Sequence, residues 1–291
     1  AAHSVGAIAV LAEMVPMMTP TSEFPAAGLP TWLPSRYNHA SYRLIQAGVN
    51  ALGSPGVALA KELGVIRSEH DISLIPVSPT LVARPADWPD YAAITGWWSI
   101  PDHGEIDDEL AQFLEVGPVL YAGFGSMRDN HGLARADAIV SAARLLGMKT
   151  LLVTGWGGLV PTPDHMVSPD VVVRESVPHS LVLPRVDAAL HHGGAGTTHA
   201  MIRSGTPSVI MPFIADQPWW AARLEEKGVG GPTLSRRTTN PHTIAAAITQ
   251  ARSLSEAIEF AAGEMDHEDG LATALDILEQ AEQGVFPFKP A

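Results

Sequence analysis

The chain contains no cysteine. Disulfide frameworks, thiolate metal sites and cysteine nucleophiles are therefore excluded. It is also poor in positive charge, with 18 Lys and Arg against 31 Asp and Glu and a formal net charge of −13. A balance this acidic argues against nucleic-acid binding, which needs a basic footprint. It also means that an anionic ligand must be met by a local positive field. Long apolar runs are missing too: the longest, such as Pro207–Ile214, fall far short of a membrane span. The apolar stretch within Ala1–Met18 lacks the basic flank of a secretory leader, so a cytoplasmic chain is expected. The scattered His165, His242 and His267 show no ligand spacing, and no metal site is expected. No repeat or low-complexity tract interrupts the 291 residues, which suffice for two domains.

What is present changes character near residue 105. The first part is turn-rich, with four prolines between Pro20 and Pro34 around Phe24, Leu29 and Trp32. Those side chains are too apolar for a free linker, so an ordered loop is expected. AAHSVGAIAVLAE reads as helix-compatible, Asn38–Leu63 has helical spacing broken near Gly53–Gly56, and ISLIPVSP and AITGWW read as buried strands. The acidic stretch Ile100–Leu110 is taken as a solvated domain boundary. Strands and helices then alternate. VLYAG, TLLVTG, VVVRES, AALHH and PSVIMPF are apolar throughout, and helices are expected near 132–146, 195–204, 218–227, 240–253, 255–265 and 270–283. Short wholly apolar strands alternating with helices imply an α/β fold with a parallel sheet covered on both faces. Ligands in such sheets bind at the carboxyl ends of the strands.

Two glycine-rich corners fall at such ends, GFGSM and HHGGAGTT. A helix N-terminus offers unpaired amides and partial positive charge, and glycines let an anion approach them closely. Gly193, Gly194 and Gly196 supply that access, and Thr197 and Thr198 add hydroxyls. His192 can donate to a phosphate oxygen, whereas His191 should point to the other face of its strand. Gly125 and Ser126 repeat the geometry at the second corner, and two convergent corners suit a diphosphate. Asp216 and Gln217, after PSVIMPFIA, can accept from and donate to vicinal hydroxyls. The pattern points to a nucleotide sugar. Simpler roles stay open: Asp216 and Ser126 as helix caps, and Trp97, Trp98, Trp219 and Trp220 as packing groups.

The stretch HHGGAGTTHAMIRSGTPSVIMPFIADQPWWAARLEEKGVG resembles the donor-binding region of GT-B glycosyltransferases. It is most similar to their sterol glucosyltransferase-like and bacterial natural-product branch. GFGSM, VPHSLVLPRVD, TSEFP, DWP and ITGWW extend the resemblance along most of the chain. It implies a complete Rossmann-like donor domain at 106–291 and a partial amino-terminal acceptor domain at 1–105, whose first half is not in this sequence. It also implies that His192, Ser126, Gly194 and Thr197 meet the donor diphosphate, that Val177, Pro178 and His179 flank uracil, and that Asp216 and Gln217 read the hexose. Trp219 or Trp220 would pack near the sugar. The implied reaction moves a hexose, glucose by expectation, from a UDP-sugar to a hydroxyl of a lipophilic acceptor such as a sterol, with inversion and no cofactor. Phe24, Trp32 and Trp98 are candidate acceptor-side residues. His3 and His39 sit in no matching motif, so no catalytic base is nominated. Exposed apolar loops leave a homo-oligomer or a peripheral membrane position open. Two other readings compete: a donor-binding remnant without transfer, and a NAD-dependent oxidoreductase. Asp216 lies 20 residues after Gly196, as a ribose-binding acid would, but the third small residue of the dinucleotide motif would fall on His199.

Overall fold

A computed structural model describes residues 6–52, 71–100 and 104–285. The chain forms two compact units, residues 1–99 with 267–291, and residues 100–266. The sequence reading carried the second domain to the chain end, whereas the last helix packs within the first unit.

In the first unit, β1 (Val10–Ala12), β2 (Ile72–Ile75) and β3 (Ala92–Ile94) form a parallel sheet in that order. Val10–Ala12 is thus a strand, not part of a helix. Its pairing partner lies some 60 residues away, with Val10 opposite Ile72, so no local period announces it. The helical spacing from residue 38 becomes α1 (Asn38–Leu52). Its continuation with the 53–56 break, like His3, lies outside the described residues.

Acidic side chains organise the loops of this unit, Glu13 from a buried position and Asp87 and Glu23 from exposed ones. Glu13 accepts hydrogen bonds from the amides of Met18 and Thr19 at 2.7 and 3.1 Å, and from the hydroxyls of Thr19 and Ser73. Asp87 of DWP accepts from Thr21 Oγ1 and from the Ser22 amide and hydroxyl at 2.6–2.8 Å. The Ala86 amide in turn donates to Glu23. TSEFP and DWP are therefore two halves of one clasp, closed by Phe24 set edge-on to Trp88.

The second unit carries a five-stranded parallel sheet of order β6-β5-β4-β7-β8. Its strands are β4 (Val119–Gly123), β5 (Lys149–Val153), β6 (Val171–Arg174), β7 (Ala188–His191) and β8 (Ser208–Ile210). β4 is buried throughout because alternate side chains enter two cores. Leu120 and Ala122 join Ile139, Leu152, Leu190 and Ile248, while Val119 and Tyr121 join Leu110, Phe113, Leu151 and Met201. Leu110 and Phe113 belong to α2 (Asp108–Glu115), capped by the Asp107 carboxylate on the Leu110 amide at 2.8 Å. The acidic stretch expected to be a solvated boundary thus ends in a packed helix. Its acids cap that helix and pair with Arg174, which reaches Asp107 and Glu109 at 2.8 and 2.6 Å.

The remaining helices are α3 (Gly132–Leu145), α4 (Pro163–Val167), α5 (His179–Val182), α6 (Ala195–Arg203), α7 (Gln217–Lys227), α8 (Pro241–Arg252), α9 (Ser255–Met265) and α10 (Gly270–Glu282). α7 ends on Gly228, left-handed at φ 71° as its place after a helix predicts. α10 lies in the first unit, where Ala274 and Ile277 pack against Ile72 and Leu74 of β2. Glu268, just before it, accepts from Ser78 Oγ, Thr80 Oγ1 and the Thr80 amide at 2.7, 2.7 and 3.2 Å. No described helix is long and apolar enough to cross a membrane.

Candidate functional site

A cavity of 480 Å³ opens over the carboxyl ends of β4, β5, β6 and β7. The β4 corner contributes Gly125 and Ser126, β6 and its loop contribute Glu175, Val177 and His179, and the β7 corner contributes His192 and Thr197. Six of the ten donor-side residues read from the sequence therefore line one space.

The two glycine corners meet on the His192 ring. A Cβ on Gly194 would stand 2.5 Å from His192 Nε2, and one on Gly125 would stand 3.4 Å from its Cε1. Glycine at 194 makes room for an imidazole at the mouth of α6, while at 125 the left-handed φ of +54° is what favours glycine. Gly193 is required for the turn itself: its φ is +84°, and a Cβ there would lie 2.6 Å from Ile210 Cγ2. Burial lowers the His192 pKa from 6.5, so the free ring is neutral near pH 7. The Gly123 carbonyl opposes that shift, and Nδ1 is buried without a well-formed hydrogen bond.

His191 behaves differently. It is fully buried, its Nδ1 accepts from the Gly193 amide at 3.2 Å and its Nε2 lies 3.3 Å from Ser208 Oγ. Burial, reinforced by His192 and His179, pushes its pKa well below 6.5. This ring is internal scaffolding for the turn that presents its neighbour. His179 faces the cavity beside Tyr121, whose hydroxyl is 3.2 Å from His179 Nε2. Burial raises the Tyr121 pKa above its ordinary value.

Gly194 is the N-cap of α6 and Gly196 is exposed in its first turn. Thr197 reaches the cavity, while Thr198 is buried, so only one of the two threonines is available to a ligand there. His199, at the place of a dinucleotide motif's third small residue, is fully buried edge-on to Trp220 at 4.8 Å.

Asp216 and Gln217 follow β8, outside the cavity lining. The Asp216 carboxylate does not cap α7; it accepts from Trp220 Nε1 at 3.1 Å. Burial raises its pKa, and the Trp220 bond and the Ala195 amide at the start of α6 counter that rise. Asp216 is therefore held at the same helix mouth as His192, on the β8 side. Ala215 before it has a φ of +56°, a conformation unusual without glycine. Gln217 is buried, its Oε1 accepting from the Phe213 and Ile214 amides at 2.7 and 3.1 Å and its Nε2 directed at Met127 Sδ. That carboxamide fastens the loop that carries Asp216. Trp219 and Trp220 are packing groups, both fully buried.

The acceptor-side candidates lie in the first unit. Phe24 is only 3% exposed and packs on Trp88, so it presents no surface to a ligand. Trp98 bonds Thr95 Oγ1 through its indole N–H at 2.9 Å and packs beside Ile72 and Leu74. Trp32 is exposed. His39 stands 3.5 Å from Asp87. Among the described residues no cluster of His, Asp or Glu is arranged to hold a metal.

Sequence reasoning missed Tyr121, Glu175 and Trp156 on the cavity wall. A signal for Trp156 was available, since GWGG follows a buried strand just as GFGSM does.

A five-stranded parallel sheet with glycine corners converging on one histidine defines an α/β domain of the doubly wound class, with a candidate anion site at the carboxyl ends of its strands. Comparison with solved structures identifies the fold as GT-B. The crystal structure of the glycotransferase of kitacinnamycin superposes with a TM-score of 0.70 at 19% identity, covering 96% of this chain and 72% of that one. The calicheamicin glycosyltransferase CalG4 superposes with a TM-score of 0.62 at 21% identity, covering 81% and 62%. Residues 162–271 match the family described as erythromycin biosynthesis protein CIII-like, C-terminal domain. The glycosyltransferase GtfE of Amycolatopsis orientalis is 34% identical over 274 residues, 88% of this chain and 61% of that protein. The sterol 3-beta-glucosyltransferase of Candida albicans is 31% identical over 220 residues, 70% of this chain and 14% of that protein. This chain is therefore a homologue of GT-B glycosyltransferases and spans only part of the length of those relatives.

Proposed function

We propose that the chain binds a UDP-sugar and that the protein moves its hexose, glucose by expectation, to a hydroxyl of a lipophilic acceptor. The observation that carries this reading is the His192 ring held between Gly125 and Gly194 at the mouth of α6. An imidazole, helix amides and the Thr197 hydroxyl converge there, which suits a diphosphate. Asp216, at the same mouth on the β8 side, is placed to accept from sugar hydroxyls. The name of the sterol 3-beta-glucosyltransferase relative supports glucose and a lipophilic acceptor.

In the proposed step the acceptor oxygen forms a bond to the anomeric carbon as the bond from that carbon to the diphosphate breaks. The acceptor proton passes to a base, UDP leaves, and the configuration inverts. Developing charge on the departing diphosphate falls on His192 and the α6 amides, which lowers the barrier. The displacement uses the UDP-sugar as co-substrate and needs no cofactor.

Calorimetric titration with UDP-glucose tests the reading. His192→Ala removes one charge-assisted hydrogen bond of about 1.5–3 kcal/mol, so affinity should fall roughly 10- to 150-fold. Asp216→Ala should weaken UDP-glucose more than UDP, because only the sugar is touched. Equal loss for both ligands would remove Asp216 from the sugar site, and a folded wild-type chain that binds neither would end the donor reading. If the donor binds and no glycoside forms with any acceptor, the chain is a donor-binding remnant.

A further inference from the structure

We propose that Trp156 is the platform on which the nucleobase of the donor stacks; the proposal rests on the donor reading above. The turn after β5, Thr154-Gly155-Trp156-Gly157, is built to hold an indole outward. Gly155 and Gly157 flank it in left-handed conformations, φ +52° and +104°. Gly155 also packs so closely on the Gly125 carbonyl that a side chain there would collide with it. The Trp156 amide donates to that carbonyl at 3.0 Å, and the Gly155 amide donates to the Glu175 carbonyl at 3.0 Å. One turn is thereby stapled to the phosphate corner on one side and to the end of β6 on the other.

The indole itself is 78% exposed, whereas Trp219 and Trp220 in the same unit are fully buried. A large apolar surface left in water beside a ligand cavity is unfavourable until something covers it. Trp156 lines the same cavity as His192 and Val177. Direction along the sheet identifies what covers it. With the diphosphate at the β7 corner and Asp216 beyond β8, the sugar extends one way. The nucleoside then extends the other way, over β5 and β6. Trp156 is the flat, exposed aromatic surface on that side, since Tyr121 is buried and bonded to His179. Every base has a π-face, so the platform serves affinity, and discrimination among bases falls to edge contacts from the Val177–His179 segment.

The test titrates the full chain with UDP, TDP and ribose 5-diphosphate, comparing wild type, Trp156→Ala, Trp156→Phe and His192→Ala. Stacking contributes about 1–3 kcal/mol per base, which converts to roughly 5- to 150-fold in affinity. Trp156→Ala should lose that factor for UDP and TDP alike, Trp156→Phe should keep most of it, and ribose 5-diphosphate should bind wild type and Trp156→Ala equally. His192→Ala should weaken all three ligands. If Trp156→Ala binds UDP as wild type does, the platform is overturned while the donor site stands. If it loses UDP and ribose 5-diphosphate by the same factor, the turn acts on the phosphate corner and the stacking assignment is overturned. A wild-type chain that binds none of the three overturns the donor reading and the platform with it.

Discussion

His192 and His199 both have pKa values lowered from 6.5 by burial, yet acid should affect them in opposite senses. His192 faces the ligand. A diphosphate beside it favours the imidazolium, so the complex holds more protons than the free chain. Affinity for UDP-glucose should therefore rise as pH falls from 8 toward 6, and His192→Gln should flatten that dependence. Calorimetry in buffers of different ionisation enthalpy would detect the proton taken up; no uptake would mean that His192 binds as a neutral donor. His199 faces the core, its pKa at about 4 and its Nδ1 2.7 Å from the Ala195 carbonyl. Its folded pKa lies below the unfolded value, so the unfolded chain binds the extra proton. The stability from keeping it neutral is complete above pH 6.5 and is lost as pH falls from 6.5 toward 4, amounting to up to about 3 kcal/mol. His191 adds to the same slope. Urea unfolding at pH 7 and pH 5 should show a smaller difference in His199→Leu than in wild type, and an unchanged difference would remove His199 from the acid sensitivity.

At the level of elements, the β7–α6 corner depends on a glycine that a ligand need not touch. Gly193→Ala meets both a left-handed φ and Ile210, so it should destabilise the second unit by about 1–3 kcal/mol. Gly147→Ala is its control, since φ there is +65° but a Cβ meets nothing. Denaturant midpoints would separate the two, and equal losses would leave only the backbone effect. This corner was legible in the sequence because its chemistry is local: strand, glycines, hydroxyls and helix follow one another within HHGGAGTT. The strands of the second unit were legible for a related reason, being apolar on both faces. Where burial depends on distant partners, legibility failed. Val10–Ala12 is a strand only because residues 72–74 lie beside it, and Val-Leu-Ala is apolar at all three positions, so the sequence shows none of the alternation that its burial has. Asp107–Glu109 read as a solvated run, though acids in a first helical turn are themselves a start signal. Gln217 was read as facing a sugar because spacing reveals a side chain's neighbourhood but not its partners. Two backbone amides occupy its oxygen.

For the whole molecule, the sharpest departure from the sequence reading is the course of the last helix. Its spacing marks Ala274 and Ile277 as one face and Leu271, Leu275 and Leu278 as another, without saying which core the first face enters. In the structure that face joins β2, and the first unit is assembled from both ends of the described chain. Glu268 secures the return, its carboxylate accepting three hydrogen bonds from Ser78 and Thr80. The cavity, by contrast, is lined among the described residues by groups between Tyr121 and Thr197, within the second unit. Glu268→Ala in the full chain should therefore separate the two. Leaving the Thr80 donors without their acceptor should lower the stability of the first unit by about 1–3 kcal/mol, while affinity for UDP stays as in wild type. Hydrogen exchange would localise the loss: faster exchange across 72–82 and 270–282 with unchanged protection at 119–123 and 188–198. A tenfold loss of UDP affinity in this variant would show that the first unit's anchor is coupled to the donor site. Donor binding could not then be assigned to the second unit alone.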